Sequence, residues 1–334
     1  MARSLLARLG AVTAAAVATL ALGGCPQQPN NGLEEVPFLI DWDPEPTYLG
    51  IYYAKSSGIF ERAGFDVNIV PLRGANAVIQ AVAAGQNPIG TASGGATVIG
   101  VANGNATQSL AVIFPRISTV VYGPVGNNIS RPQDLYGRRV GIYPTSITKN
   151  EFDAFMRANN LDRSRITIVD AVGSDLEFME QRQADAVLNY AEMSPARLAI
   201  NPTARRVNGR TSFELPLADY GVNGYGLNIV ASPRAMQERP DRMRALSAAA
   251  VQGYTEGCAN REAAVNAFLQ EVHRTPERME AERPYVTASW DRVCEMIGDT
   301  AGQQDAEGWQ TTIDTYAGLG LLPRAVTPQE VLGE

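Results

Sequence analysis

The chain is poor in histidine: His273 is the only one among 334 residues. A Cys/His metal centre needs several ligands at short spacing. His273 stands alone in the polar run Glu271-Val272-His273-Arg274, and Cys25, Cys258 and Cys294 are scattered. A serine nucleophile would depend on that one imidazole as its base. No metal, cofactor or triad chemistry is therefore expected. Lysine is nearly absent too, with Lys55 and Lys149 only, so arginine carries the positive charge, which reads as compositional bias. The balance is acidic, 35 Asp and Glu against 28 Lys and Arg, for a net charge of −7. That disfavours nucleic acid or an anionic membrane surface as a partner. Beyond residue 25 no segment approaches the roughly 20 apolar residues of a membrane-spanning helix.

What is present begins with a leader. Arg3 and Arg8 form a positive start, Leu9 to Leu22 is almost wholly apolar or small, and Leu22-Gly23-Gly24-Cys25 closes the segment. This is the secretory pattern. Its ending resembles a bacterial lipobox, which implies cleavage before Cys25 and lipidation of that residue. Several acyl chains anchor firmly where one is marginal. An ordinary signal peptide ending near a cysteine is the alternative. Residues 1–24 are thus assigned to a signal peptide and 25–35, rich in Pro, Gln and Asn, to a flexible tether. The mature chain is expected to be exported and lipid-anchored at the cell envelope, facing the periplasm or exterior.

From Val36 to Ala96 apolar strand-like runs alternate with helical ones: strand 36–41, helix 48–63, strand 66–71, helix 76–84 and strand 88–92. Strands alternating with helices of this length predict crossover connections and a mainly parallel sheet. Ligands bind such sheets beyond the carboxyl ends of the strands. Here those ends carry Asp41-Trp42, Arg73-Gly74 and Ser93-Gly94-Gly95, aromatic and hydrogen-bonding groups with no nucleophile beside a base. They suit binding before catalysis. A second unit follows with strand 139–143, helix 145–159, strand 166–170, helix 175–183 and strand 186–190, again with polar or aromatic strand ends at Asp170 and at Asn189 to Glu192. After strand 227–231 the chain reads as helices 234–255 (broken near Pro240), 261–272, 278–285, 309–319 and 328–332. This region adds no strand-rich domain, so it is expected to return to the first unit. The predicted fold is α/β with two lobes hinged around a ligand cleft: 36–121 plus 216–334 as a discontinuous lobe 1, and 122–215 as lobe 2.

At this point the residues resemble a known family. Asp41-Trp42-x-Pro44, Gly50-Ile51-Tyr52-Tyr53-Ala54, Gly58-Ile59-Phe60 and Gly64-Phe65-Asp66-Val67 are similar to the opening of periplasmic solute-binding proteins. Asp134-Leu135-x-Gly137-x-x-Val140-Gly141, Asp185-Ala186 and Gly253-Tyr254 fit the same pattern across nearly the whole mature chain. The nearest branch is that of thiamine-pyrimidine precursors, kin to the nitrate, sulfonate and taurine binders. The resemblance implies a type II periplasmic-binding fold and delivery of one small molecule to the permease subunits of an ABC importer, by a monomer that is not an enzyme.

It also implies site residues. Trp42 matches the aromatic that stacks on the ligand ring, with Asp41 beside it as ligand contact or structural cap. Tyr48 falls where pyrimidine binders often have histidine. Glu192 lies where they place a carboxylate against the amino-pyrimidine edge, with Tyr190 to flank the ring; capping of the following helix is the other reading. Tyr143, Thr145 and Ser146 occupy the second-lobe hydroxyl and helix-start region, and a helix N-cap is an equal role for the last two. Ser93 and Gly94, at a helix start whose exposed N–H groups suit an acceptor, and Tyr220, from the hinge side or as core packing, complete the candidates. Riboflavin or a small organic anion such as a sulfonate is the alternative ligand. A pyrimidine-synthesising enzyme of similar fold is the alternative class, and it relies on a Cys-rich segment, a reactive lysine and a histidine that this chain does not reproduce. Cys258 and Cys294 form either a disulfide or two separate buried thiols, structural in both cases.

Overall fold

The structure is a computed structural model describing residues 32–143, 147–171, 175–201, 205–273 and 275–334. Cys25, Thr145 and Ser146, and with them the leader, most of the tether and the lipidation site, lie outside the described residues. Leu33–Glu334 forms one compact unit.

Ten strands make two five-stranded sheets. The first contains β1 (Glu34–Ile40), β2 (Phe65–Pro71), β3 (Ile89–Ser93), β4 (Gln108–Val112) and β10 (Leu227–Ala231), in the order β2-β1-β3-β10-β4. The second contains β5 (Thr119–Pro124), β6 (Arg139–Ile142), β7 (Thr167–Asp170), β8 (Ala186–Tyr190) and β9 (Ser212–Pro216), in the order β7-β6-β8-β5-β9. Each sheet has four strands running one way and one against them: β10 is antiparallel to β3 and β4, and β5 to β8 and β9. The sheets are therefore mixed, with a parallel majority, and the reversed strand in each is the first one after a sheet crossing. The chain changes sheet within 113–118 and again within 217–226. The expected crossings at Val121–Tyr122 and Leu215–Pro216 fall inside β5 and β9, and β9 itself has no alternating pattern long enough to announce it.

The helices cover the sheets. In the first lobe these are α1 (Leu49–Ser56), α2 (Ile59–Arg62), α3 (Ala75–Ala83) and α4 (Gly94–Ala102). The helix expected over 48–63 is split because Gly58 takes φ 72, a left-handed conformation. The second lobe carries α5 (Thr148–Ala158), α6 (Asp175–Glu180) and α7 (Ser194–Ile200). The return segment is helical throughout: α8 (Pro233–Glu238), α9 (Pro240–Ala259), α10 (Arg261–Val272), α11 (Pro276–Ile297), α12 (Ala306–Gly318) and α13 (Pro328–Leu332). α11 runs twelve residues past the expected end at Tyr285, and continues through Pro284. Its second half buries Trp290, Val293, Cys294 and Ile297 in the first core, which outweighs one lost backbone hydrogen bond.

Two features fix the frame beneath the cleft. α1 and α9 meet at glycines: a Cβ on Gly50 would collide with the Tyr254 ring, and one on Gly253 with the Gly50 carbonyl. Cys258 of α9 and Cys294 of α11 are joined by a disulfide with their Cα atoms 5.5 Å apart. No helix among the described residues is long and apolar enough to cross a membrane.

Candidate ligand-binding cleft

The carboxyl ends of β1 and β3 in one sheet face those of β6 and β8 in the other. Trp42 follows β1 and Tyr143 follows β6; their rings meet edge to face with centroids 6.5 Å apart. Both are exposed, at 36% and 42%, unusual for rings of this size and suited to contact with a ligand. The Arg73 guanidinium lies 5.5 Å from the Trp42 centroid and pairs with Asp43 at 3.0 Å. Arg73 thus packs on the aromatic wall.

Behind Trp42, Asp41 is held by two hydroxyls. Thr91 Oγ1 donates to its Oδ1 at 2.6 Å and the Tyr48 hydroxyl donates to the same oxygen at 3.1 Å. Burial raises the Asp41 pKa against the pull of those bonds. Tyr48 is likewise pushed well up, by burial first and then by Asp41, so its phenol stays protonated as a donor. The Tyr190 phenol adds to the upward shift of both Tyr48 and Tyr316, which places it near both groups.

Glu192, two residues after β8, is 1% exposed. Thr47 Oγ1, from the turn before α1, donates to its Oε1 at 3.2 Å, while Oε2 is enclosed without a hydrogen-bond partner among the described residues. Burial raises its pKa from 4.5 to about 7, opposed by its own backbone N–H, the Thr47 and Ser118 hydroxyls and the Arg292 charge. Ser289 of α11 donates to the Glu192 carbonyl, and the Tyr254 hydroxyl to the Thr47 carbonyl at 2.8 Å. Elements of both lobes therefore close around this carboxylate.

A third carboxylate, Glu151 in the first turn of α5, is 3% exposed. Its Oε2 accepts from Thr119 Oγ1 at 2.5 Å and its Oε1 from the Tyr316 hydroxyl at 2.7 Å. Burial raises its pKa as well. Tyr316 comes from α12 of the first lobe, and its ring lies over Gly95, where any Cβ would collide with it. Tyr254 of the Gly253-Tyr254 pair joins the site, and so do Thr47, Thr91, Glu151 and Tyr316, which no motif marks. Of these last four, Glu151 alone leaves a trace in the sequence: it stands four residues before Phe155 and beside Phe152, on the buried face of its helix.

Three candidates have other local roles. Ser93 Oγ caps α4 by accepting from the Ala96 N–H at 3.3 Å. The Gly94 N–H already donates to the Gly226 carbonyl at 2.7 Å. Tyr220 packs edge to face on Phe155 at 5.8 Å beside the second core, and its carbonyl accepts from Asn159 Nδ2 at 2.9 Å. The structure brings Asp41, Tyr48, Tyr190 and Glu192 into one buried neighbourhood with Trp42 and Tyr143 at its mouth, and sets Tyr220 apart from it. Beside the cleft, a groove of about 190 Å³ between Pro44 and Val286 is lined by Glu45, Arg197, His273 and Tyr285. There Arg197 stacks 3.8 Å from the Tyr285 centroid and pairs with Glu282 at 3.2 Å. His273 thus contributes to a surface groove beside Arg197 and Arg278.

This arrangement matches a known group of proteins. The profile of a family described as NMT1/THI5 like matches residues 45–264. The chain belongs to that family. A formylaminopyrimidine-binding protein from Halalkalibacterium halodurans is 24% identical over 315 residues, covering 90% of each chain. Among solved structures, the periplasmic aliphatic sulphonate binding protein SsuA of Escherichia coli superposes with a TM-score of 0.68 at 15% identity, over 89% of this chain and 91% of that one. The periplasmic nitrate-binding protein NrtA of Synechocystis PCC 6803 does so with a TM-score of 0.64 at 11% identity, over 90% and 85%. At these identities the structural likeness shows the fold: the NMT1/THI5-like chain has the two-lobed periplasmic-binding architecture.

Proposed function

We propose that this protein is the substrate-binding component of an ABC importer, exported and anchored through an acylated Cys25. Its lobes, divided in the segments 113–118 and 217–226, close on a small heteroaromatic ligand carrying N–H donors, such as a pyrimidine precursor of thiamine. The observation that supports this ligand class is the trio Asp41, Glu151 and Glu192. All three are carboxylates buried or half-buried around one cleft, and their hydrogen-bond partners among the described residues are hydroxyls and backbone, with no cation paired to any of them. A carboxylate accepts up to two N–H bonds from an amino-pyrimidine edge. A sulfonate or nitrate would meet acceptors where it needs donors. The binding named for the Halalkalibacterium halodurans relative points the same way.

In this reading Trp42 and Tyr143 provide the aromatic walls, each contributing about 0.5–1.5 kcal/mol beyond area burial. Glu192 provides selectivity, since a ligand without the matching donors leaves a buried acceptor unpaired. Closure then presents both lobes to the permease. A thermal-shift panel of hydroxymethyl- and formylamino-pyrimidine, riboflavin, taurine and nitrate tests the proposal. A true ligand at about 100 times its dissociation constant adds ~2.7 kcal/mol and raises the melting point by several degrees. A shift with pyrimidines supports the reading; a shift with riboflavin or an anion alone overturns the ligand, and no shift at all overturns the binding function.

A further inference from the structure

We propose that Arg197 is a positioning residue of the cleft: seated on α11, it holds the two lobes together and keeps Glu192 opposite Thr47. Its effect on affinity rests on the ligand-binding reading above; its effect on the lobes does not. α11 belongs to the first lobe, where Trp290, Val293 and Cys294 are buried in the core and Cys294 is joined to α9. Four of its side chains meet the second lobe: Glu282, Tyr285, Ser289 and Arg292. Spacings of three, four and three residues place them within an arc of about 80° on one helix face. That face is a seat for the second lobe.

The contacts follow one another along the seat. At one end Arg197 of α7 lies 3.8 Å from the Tyr285 ring centroid and pairs with Glu282 at 3.2 Å. In the middle Ser289 donates to the Glu192 carbonyl. At the other end Arg292 forks onto both oxygens of Glu214 in β9, with Nη1 3.1 Å from Oε1. The second lobe brings the cation to the first pair and the carboxylate to the second. Complementary charges of alternating sign fix one register between the two surfaces.

Arg197 is tied to both halves of the cleft floor. Glu192 stands five residues before it, and α7 starts two residues after Glu192. On the other side the Tyr285 hydroxyl donates to Glu45 Oε2 at 3.2 Å, and Glu45 stands two residues before Thr47. Burial raises the Glu45 pKa, opposed by that bond and by the Arg197 charge. An exposed ion pair alone contributes little to stability. This one also stacks on a ring that is 6% exposed, where a cation is held more firmly than in open water. It joins parts that separate when the lobes open, so it favours the closed arrangement alone.

Small-angle scattering and binding kinetics on the purified protein test the latch. Without ligand, Arg197→Glu sets a third carboxylate between Glu45 and Glu282 and is expected to enlarge the radius of gyration. The exchange R197E/E282R restores the pair in reverse and is expected to return the radius toward the wild-type value. Arg197→Ala shifts it the same way as Arg197→Glu, by less. Arg261→Glu breaks the pair with Asp291 on a different face of α11, inside the first lobe, and leaves the radius unchanged. With formylamino-pyrimidine as the probe, Arg197→Glu is expected to release it on the order of tenfold faster, with association little changed. An unchanged radius in Arg197→Glu, an equal change in Arg261→Glu, or no recovery in the exchange would overturn the latch. So would a loss of affinity carried by association alone. A wild-type protein that ignores formylamino-pyrimidine overturns the ligand reading instead, and the scattering comparison then decides the latch by itself.

Discussion

Thr47 Oγ1 donates to Glu192 Oε1 at 3.2 Å and joins the turn after β1 to the end of β8, so that one hydrogen bond links the two sheets across the cleft. The second oxygen of Glu192 stays enclosed without a hydrogen-bond partner among the described residues. This is a poor place for a charge and a good one for a ligand's N–H.

The consequence for pH has a definite sign. Burial lifts the Glu192 pKa from 4.5 to about 7, so the folded protein holds the proton more tightly than the unfolded chain. Both forms are protonated below about pH 4.5, and stability is lost as pH rises from there through about 7. Asp41 and Glu151 shift the same way. Calorimetric melting of the unliganded protein is expected to fall across this window, and Glu192→Gln to flatten the fall by roughly 3 kcal/mol. Parallel profiles for the two proteins would contradict the assignment.

Tyr316 and Glu151 form a second link between lobes. Tyr316→Phe removes the donor and leaves Glu151 Oε1 short of a partner in a buried site, at a cost of about 1–3 kcal/mol. Urea unfolding measures this directly. A phenylalanine variant as stable as the parent would show that the bond does not persist in solution.

The close approach of α1 and α9 sets the position of Thr47 and Tyr254. Gly253→Ala drives a Cβ into the Gly50 carbonyl and is expected to destabilise by about 1–3 kcal/mol or more. Gly318→Ala, with nothing within 4 Å of the new atom, should stay within about 1 kcal/mol of the parent. Thermal denaturation of the pair checks the contrast.

Trp42 separates binding from folding. Its ring is 36% exposed, so Trp42→Ala should change stability by no more than about 0.5 kcal/mol. Ligand affinity should fall about tenfold or more, because stacking and ring burial are lost together. Isothermal titration alongside a melting curve reads both.

Much of this architecture is legible in the chain. Alternating apolar runs and glycine or proline breaks locate most strands and helices, because burial dictates the residue pattern locally. β9 and the second half of α11 are exceptions: Ser212–Pro216 is too short to show a period, and Pro284 argues against a helix that tertiary packing nonetheless sustains. In the cleft, Trp42, Tyr143 and Glu192 are readable because they stand at strand ends. Tyr316 is not, since it reaches Glu151 across 165 residues of chain and no local pattern records such a contact.

Isothermal titration of formylamino-pyrimidine into the wild-type protein and Glu192→Gln tests the chemistry of the cleft most directly. One-to-one binding that weakens tenfold or more in Glu192→Gln, with taurine and nitrate silent, is the predicted result. Binding of taurine or nitrate in place of the pyrimidine, or equal pyrimidine affinity in both proteins, would contradict it.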